Sequence, residues 1–151
     1  MAVKAIPDGY TSITPYLIVQ GAGEALAFYA KALGAKTVVN MPGPDGSVMH
    51  AEMQIGNARF MLGEENVQRG DKSPKALGGS ASSIMIYTED VDQLVRQATD
   101  AGAKVVMPIQ DMFWVDRFGS ITDPFGHNWS IATHKEDLSP EEMASRMKAA
   151  V

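Results

Sequence analysis

The chain contains no cysteine, which excludes disulfide bridges and thiolate metal sites and leaves His, Asp, Glu or water as the available metal ligands. It also lacks an excess of basic residues: 13 Lys and Arg stand against 18 Asp and Glu, a balance that argues against a phosphate-binding surface. No segment approaches the roughly 20 consecutive apolar residues that a membrane-spanning helix needs. Residues 1–12 lack the apolar segment of a signal peptide. These absences predict a cytoplasmic protein that binds neither nucleic acid nor membrane.

The chain contains two similar segments, each at the end of a predicted helix. The segments "GAKTVV" (34–39) and "GAKVVM" (102–107) each close a helical pattern, in which the glycine is expected to adopt a left-handed C-terminal cap. Each helical pattern follows one strand-like run and precedes three more. The predicted strands are 13–19, 37–41, 48–55 and 58–62 in the first copy, and 83–88, 104–107, 113–121 and 128–133 in the second.

The repeat predicts an α+β fold of two βαβββ modules. The modules span residues 11–65 and 81–134, joined by a linker over 66–80, within a single domain over 1–151. Since one helix cannot cover both faces of its sheet, the modules are expected to pair and form a curved mixed sheet around a cavity. A C-terminal helix over 139–150 is predicted because Ser139, Pro140 and Glu142 have the spacing of a capping box.

Period-two counting divides each predicted sheet into two faces. One parity is apolar throughout and is assigned to the helices; it includes Met49 and Met53, which we expect in the core. The other parity, called here the mixed face, carries polar, aromatic and thioether side chains. Its members are Thr14, Tyr16, Ile18, His50, Glu52, Gln54, Arg59, Met61, Ser83, Met85, Tyr87, Asn128, Ser130 and Ala132. This pattern fits either a ligand surface or a solvated sheet face.

Three segments carry a resemblance to a known family: "FYAKALGAK" (28–36), "HAEMQIGNARFMLGEE" (50–65) and "DRFGSITDPFGHNWSIATH" (116–134). They resemble the vicinal oxygen chelate superfamily of glyoxalases, bleomycin resistance proteins and extradiol dioxygenases. The last two segments look most like its PhnB-like branch. The resemblance implies the paired glyoxalase/bleomycin-resistance fold, and we expect a homodimer whose cavities lie at or near the interface.

Metal-dependent members of that superfamily would have ligands at positions occupied here by Thr14, Met61, Ser83 and Ser130. Neutral hydroxyls and a thioether do not replace imidazoles and carboxylates, so a standard metal-dependent glyoxalase, or any cofactor, is not expected. A divalent metal bound at His50 and Glu52 is the alternative, since these two residues lie side by side on one strand. His127 or Asp116 would have to complete that rearranged site.

The segment "FWVDRFG" (113–119) suggests a second kind of chemistry. Arg117 could bind a carboxylate or phosphate through two hydrogen bonds, with Trp114 and Phe113 as an aromatic wall. Alternatively, Asp116 and Arg117 pair with each other or cap a neighbouring turn.

Three functions follow from these features. In the first, the chain binds or sequesters a small aromatic or planar compound, as the antibiotic-resistance members of the resembled superfamily do. The expected ligand-binding residues are Tyr16, His50, Met61, Met85, Tyr87, Trp114, Arg117 and Ser130. In the second, it is a lyase, isomerase or dioxygenase that uses metal at His50 and Glu52, or acid/base catalysis by His50 alone. In the third, it is an interaction protein whose sheet face another subunit covers.

Overall fold

Both copies of the repeat fold as βαβββ modules in the computed structural model, which describes residues 2–151. The first module comprises β1 (Tyr16–Val19), α1 (Ala22–Leu33), β2 (Lys36–Pro42), β3 (Val48–Ile55) and β4 (Ala58–Glu64). The linker holds a 3-10 turn (Val67–Arg69) and the short helix α2 (Pro74–Leu77). The second module comprises β5 (Ser83–Tyr87), α3 (Val91–Asp100), β6 (Lys104–Asp111), β7 (Asp116–Thr122) and β8 (Asn128–His134). Helix α4 (Pro140–Ala150) follows.

Each module forms its own four-stranded mixed sheet, and the strand order is the same in both. The orders are β1-β4-β3-β2 and β5-β8-β7-β6. The first strand of each module pairs in parallel with the fourth, and the other pairs are antiparallel. The predicted α+β class, the two modules and the C-terminal helix are therefore confirmed.

The core of the first module lies between α1 and the apolar face of its sheet. Alternate strand residues such as Met53, Phe60 and Leu62 are buried there, and Tyr29 of α1 packs edge-on against Phe60 at a centroid distance of 5.6 Å. Residues 125–127, which follow β7 in sequence, belong to this first compact unit. Phe125 contacts Tyr29 at 6.0 Å, so a segment of the second repeat contributes to the first core.

The core of the second module is built on Trp129, which is buried beside Ile121 and Ile131. Its indole Nε1 donates to Asp123 at 2.9 Å, so the polar end of the ring is satisfied. Burial of each large apolar side chain stabilises the fold by about 2–3 kcal/mol. Helix α3 covers this face through Val95 and other buried residues one turn apart.

Most of the helix caps lie where the sequence predicted them. Gly34 ends α1 with φ 66° in the left-handed region, as predicted. In the second copy the C-cap is Ala101 in a right-handed conformation, so the prediction of a left-handed cap at Gly102 was one residue out. Gly102 follows with φ 122°, a value that favours glycine. Helix α4 begins with the predicted capping box between Ser139 and Glu142.

Two local predictions were wrong. The run expected to form a strand from Phe113 begins instead at Asp116, because Val115 turns the chain with φ 72°. Met49 was expected in the core but is 48% exposed, since it lies at the turn end of β3, whereas Met53 is buried as expected.

No helix within residues 2–151 combines the length and the apolar character needed to cross a membrane.

Candidate functional site

The strand register brings the polar residues of the first mixed face together. Tyr16 on β1 and Glu52 on β3 both pair with Met61 on β4, so the three lie in one row. In the next row, His50 pairs with Gly63. The mixed face of this sheet therefore gathers an aromatic ring, a thioether, an imidazole and a carboxylate.

A chain of hydrogen bonds connects three of these side chains. The Tyr16 hydroxyl lies 2.9 Å from His50 Nδ1, and His50 Nε2 lies 3.1 Å from Glu52 Oε1. The neutral tautomer that satisfies both contacts carries its proton on Nε2, so that Tyr16 donates to Nδ1 and Nε2 donates to Glu52. His50 and Glu52 were predicted to be neighbours, and Tyr16 completes the set.

Gly63 makes this contact between neighbouring rows possible. A Cβ atom at Gly63 would stand 2.7 Å from the Tyr16 hydroxyl oxygen and 3.1 Å from the carbonyl oxygen of Met49. The tyrosine thus reaches His50 through space that any other residue at Gly63 would fill.

Tyr16 keeps its proton over a wide pH range. Partial burial, followed by the nearby Asp71 carboxylate, raises the pKa of the phenol, and Arg69 opposes this shift. The residue is therefore a neutral hydrogen-bond donor and acceptor at physiological pH.

The four side chains expected from the resemblance at the metal positions are neutral hydroxyls and a thioether. Ser83 and Ser130 hydrogen-bond to each other through their hydroxyls at 2.9 Å. Thr14 and Met61 offer a hydroxyl and a thioether, which are poor ligands for such an ion. Within residues 2–151, no group of three or more His, Asp or Glu side chains is placed to hold a metal.

Neither His127 nor Asp116, the two candidates for a third ligand, is grouped with His50 and Glu52. His127 directs Nε2 to the carbonyl oxygen of Ile18 at 2.8 Å. Asp116, the other residue considered, is engaged elsewhere in the second module.

On the mixed face of the second sheet, called here the second mixed face, one buried carboxylate bonds to two other side chains. Asp116 is nearly inaccessible to solvent, and its two oxygens have different partners. His134 Nδ1 lies 2.7 Å from Oδ1, and the Tyr87 hydroxyl donates to Oδ2 at 3.3 Å. Tyr87 and His134 are therefore held by one carboxylate.

His134 is bound by a second carboxylate on its other side. Its Nε2 lies 3.0 Å from Asp137 Oδ1, and Asp137 is fully exposed in the segment before α4. The hydrogen bonds to Asp116 and then to Asp137 raise the pKa of His134. Because each nitrogen faces a carboxylate oxygen, both hydrogen bonds form together only when the ring is protonated on both nitrogens.

Backbone strain lies directly beside Asp116. Val115 is buried and has φ 72°, which is rare for a β-branched residue and costs of the order of 1–3 kcal/mol. Its N–H donates to Met112 and its carbonyl accepts from Lys135, so the turn is fixed against the end of β8. Strain of this kind concentrates at functional sites, since the surrounding structure has to maintain it.

Arg117 is engaged in ion pairs within its own module. Its Nε and Nη2 donate to the two oxygens of Asp92 on α3 at 2.7 and 2.9 Å, and Nη1 reaches Asp111 at 3.3 Å. The pairing of Asp116 with Arg117 that we considered from the sequence is not formed. The guanidinium ties β7 to α3, and its role in ligand binding stays a prediction.

The remaining predicted site residues lie in or beside the second sheet. Trp114 is half-buried and contacts Phe113 and Phe118 edge-on at 5.0 and 5.8 Å. Met85 pairs with Ser130 across β5 and β8, and its side chain is exposed. The second sheet thus presents the thioether of Met85 two residues from Tyr87 on β5, and an aromatic cluster of Phe113, Trp114 and Phe118 at β7.

His134 and Asp137 were missed by sequence reasoning. Counting outward equally from the loop at 123–127 places His134 opposite Asp116 in the β7-β8 hairpin, whereas the turn predicted at 123–126 would have placed Thr133 there. The positive φ of Val115 has no comparable signal, since valine disfavours that conformation.

Comparison with known proteins agrees with this architecture. The family model described as "Glyoxalase/Bleomycin resistance protein/Dioxygenase superfamily" matches residues 10–131. The uncharacterized protein Mb0911c of Mycobacterium bovis is 36% identical over 152 aligned positions, which cover 99% of this chain and 97% of that protein.

Solved structures share the fold. The X-ray structure of the Arabidopsis thaliana gene product At5g48480 superposes with a TM-score of 0.68 at 27% identity, covering 82% of this chain and 98% of that one. TioX from Micromonospora superposes with a TM-score of 0.66 at 22% identity, covering 85% of this chain and 100% of that one. Given the repeated βαβββ modules and the family match over most of its length, this chain belongs to the glyoxalase/bleomycin resistance protein/dioxygenase superfamily.

Proposed function

We propose that this protein binds a small aromatic or planar compound on the mixed faces of its sheets and does so without the usual metal site of its superfamily. One observation carries the proposal. Each sheet displays a tyrosine whose ring is open to solvent while its hydroxyl is hydrogen-bonded. Tyr16 is 48% exposed and tied to His50, and Tyr87 is 64% exposed and tied to Asp116.

A tethered, exposed tyrosine is well suited to bind a flat molecule. Its side chain has only two torsions, and the hydroxyl contact restricts them further, so a ligand that stacks on the ring orders little additional structure. Stacking between aromatic rings contributes about 0.5–1.5 kcal/mol beyond the burial of apolar area.

Methionines beside the tyrosines support the same function. Met61 lies in the row of Tyr16, and Met85 lies two residues before Tyr87 on the same face of β5. Thioether side chains adjust their shape to a ligand at little energetic cost. A surface with rigid rings and adaptable thioethers favours binding over a merely solvated face.

The binding proposal is tested by thermal unfolding with two planar probes, naphthalene-2-carboxylate and naphthalene-2-carboxamide. At ten times its Kd, a ligand stabilises the folded state by about 1.4 kcal/mol, which raises the Tm of a domain of this size by about 3–6 °C. We expect this rise in the wild type and in Leu77→Ala, which removes an exposed apolar side chain of α2 outside both faces.

The tyrosine variants decide the outcome. Tyr16→Ala combined with Tyr87→Ala should abolish the rise, and each single variant identifies the face that binds. An unchanged rise in the double variant, or no rise in any protein, would contradict the proposal.

A second candidate function is acid/base catalysis on the first mixed face, and the hydrogen-bonded chain Tyr16–His50–Glu52 favours it. Glu52 orients the imidazole, and the Tyr16 hydroxyl stands where it could pass a proton between His50 and a bound molecule. This arrangement suits removal of a proton next to a carbonyl group.

Deuterium exchange tests this candidate. Acetophenone in deuterium oxide should exchange its methyl protons faster in the presence of the wild type than with His50→Gln, as followed by proton NMR. Equal rates for the two proteins would eliminate the catalytic candidate and leave the binding proposal standing.

A further inference from the structure

The second mixed face presents the imidazole of His134 in the same depression as the exposed ring of Tyr87. Arg117 was the anion-binding residue predicted from the sequence, but its guanidinium is already paired with Asp92 and Asp111. His134 is half-exposed and lines the same open depression as Tyr87, together with Thr88, Glu89 and Thr133. Among the residues lining this depression, His134 is therefore the one that becomes cationic on protonation.

The positions of Tyr87 and His134 are linked to each other. Both side chains bond to Asp116, one at each carboxylate oxygen, and Asp116 is buried behind them. The strained turn at Val115 fixes the backbone of Asp116. The distance between the phenol ring and imidazole Nε2 is thus set by the fold.

The Nε2 atom of His134 already holds a carboxylate in this structure. Asp137 provides it from a fully exposed position, with an Nε2 to Oδ1 distance of 3.0 Å. Exposed ion pairs of this kind are weak, because solvent screens them and ordering the side chain opposes them. A carboxylate on a ligand could displace Asp137 at small cost.

We infer that Nε2 of His134 is the anion-recognition point of the second mixed face and that Asp137 occupies it in the free protein. This inference rests on the proposed function. The ligand class it specifies is a planar aromatic compound with one anionic substituent, a carboxylate or phenolate. The ring lies against Tyr87 and the anionic group replaces Asp137.

The charges around His134 limit the ligand further. Asp116 on β7 and Asp137 in the segment before α4 bond to the imidazole, and Glu89 after β5 lines the same depression. Tyr87 remains neutral because its pKa is raised by partial burial and by Asp116. A second negative group on the ligand would meet Glu89, so a single anionic substituent is favoured.

Affinity for such a ligand depends on pH with a definite sign. Only the cationic ring donates from Nε2 while Nδ1 donates to Asp116. Binding of the anion is therefore strongest below the pKa of His134, which the two carboxylates raise, and weakens as pH rises through that value.

Removal of Asp137 is the decisive experiment. Binding of naphthalene-2-carboxylate and naphthalene-2-carboxamide is titrated by NMR into the wild type, Asp137→Ala and Asp8→Ala. Asp8 is a well-exposed aspartate in the first unit, so its removal makes the same change in net charge elsewhere. We expect Asp137→Ala to bind the carboxylate about two- to fivefold more tightly, with the carboxamide unchanged and Asp8→Ala like the wild type.

A second variant and the probe pair separate the possible failures. His134→Gln should lose the preference for the carboxylate while still binding the carboxamide. If both probes bind but neither variant alters the preference, the anion-recognition point is wrong and the proposed function survives. If neither probe binds any of the proteins, both proposals fail.

Discussion

At the scale of single residues, the Tyr16–His50 contact depends on the absence of a side chain at Gly63. In Gly63→Ala the new methyl group would meet the Tyr16 hydroxyl and the Met49 carbonyl. We expect the tyrosine to move away from His50 and stability to fall by about 1–3 kcal/mol, as for other overpacked sites. Chemical denaturation measures the stability, and the imidazole NMR signals of His50 report the lost contact.

Gly23→Ala is the matched control for this substitution. Gly23 lies in α1 with open space where a Cβ would be placed. Alanine there should raise stability by about 0.5–1 kcal/mol, since it favours the helix. If Gly63→Ala were equally harmless and left the His50 signals unchanged, the account of the close approach would be incorrect.

Val115 is a strained residue of the second module. Because of this strain, we expect glycine to be more stable than alanine at this position, the reverse of the usual order. Val115→Ala and Val115→Gly lose similar contacts, but only glycine relieves the positive φ. We expect Val115→Gly to be more stable than Val115→Ala by about 1 kcal/mol in denaturant titrations.

The same pair of substitutions at Val95 provides the comparison. Val95 is equally buried but lies within α3, where glycine should be less stable than alanine by about 1 kcal/mol. Glycine ranking below alanine at both positions would show that Val115 carries no strain.

The polar residues of the site were predictable to different degrees. Period-two counting placed His50, Glu52 and Tyr16 on one face, because register within a hairpin follows from its turn. It did not show that Arg117 would reach Asp92, since that contact depends on how α3 packs on the sheet. Counting from the turn predicted at 123–126 would have missed the Asp116–His134 pair by one residue, because the loop in the structure is 123–127.

At the scale of elements, α4 is an exposed helix of the second compact unit. None of its residues, Pro140–Ala150, is buried. It does have a complete capping box and an ion pair from Arg146 to Glu136. A helix of this length is marginal in water without tertiary contacts. Its stability should therefore be local and depend strongly on its N-terminus.

Ser139→Ala tests that expectation. Loss of the cap should destabilise α4 by about 1 kcal/mol and speed amide hydrogen exchange in residues 140–150, with no change in the Tm of the whole protein. Ser73→Ala is the counterpart, because Ser73 caps α2 in the same way but is fully buried, and it should lower the Tm. A lower Tm in Ser139→Ala would mean that α4 supports the fold.

Strand bounds were less predictable than strand number. β4 continues to Glu64, beyond the predicted end, because it pairs with β1 up to Val19. The Glu64 carboxylate then accepts from the N–H groups of Gly21 and Ala22 at the start of α1. Such a cap joins elements far apart in sequence. Hydrophobic periodicity does not reveal such a cap, whereas it did predict the helix of each module and the succession of strands along the chain.

At the scale of the whole molecule, the repeat has kept its fold while its polar contacts have diverged. Both modules place an exposed tyrosine on the mixed face, but the first ties it to His50 and the second to Asp116. Membership of the superfamily establishes the architecture, and activity has to be argued from these side chains. The homodimer expected from the sequence stays a prediction, which light scattering of the purified protein would check.

The most direct test of ligand binding uses the methionines as reporters. Naphthalene-2-carboxylate is titrated into protein carrying carbon-13 labelled methionine methyl groups, and the methyl spectrum is followed. We expect saturable ring-current shifts at Met61 or Met85, which lie beside the two tyrosines, and none at Met147 on α4. Shifts confined to Met147, or no saturable shift at Met61 and Met85, would contradict a ligand-binding mixed face.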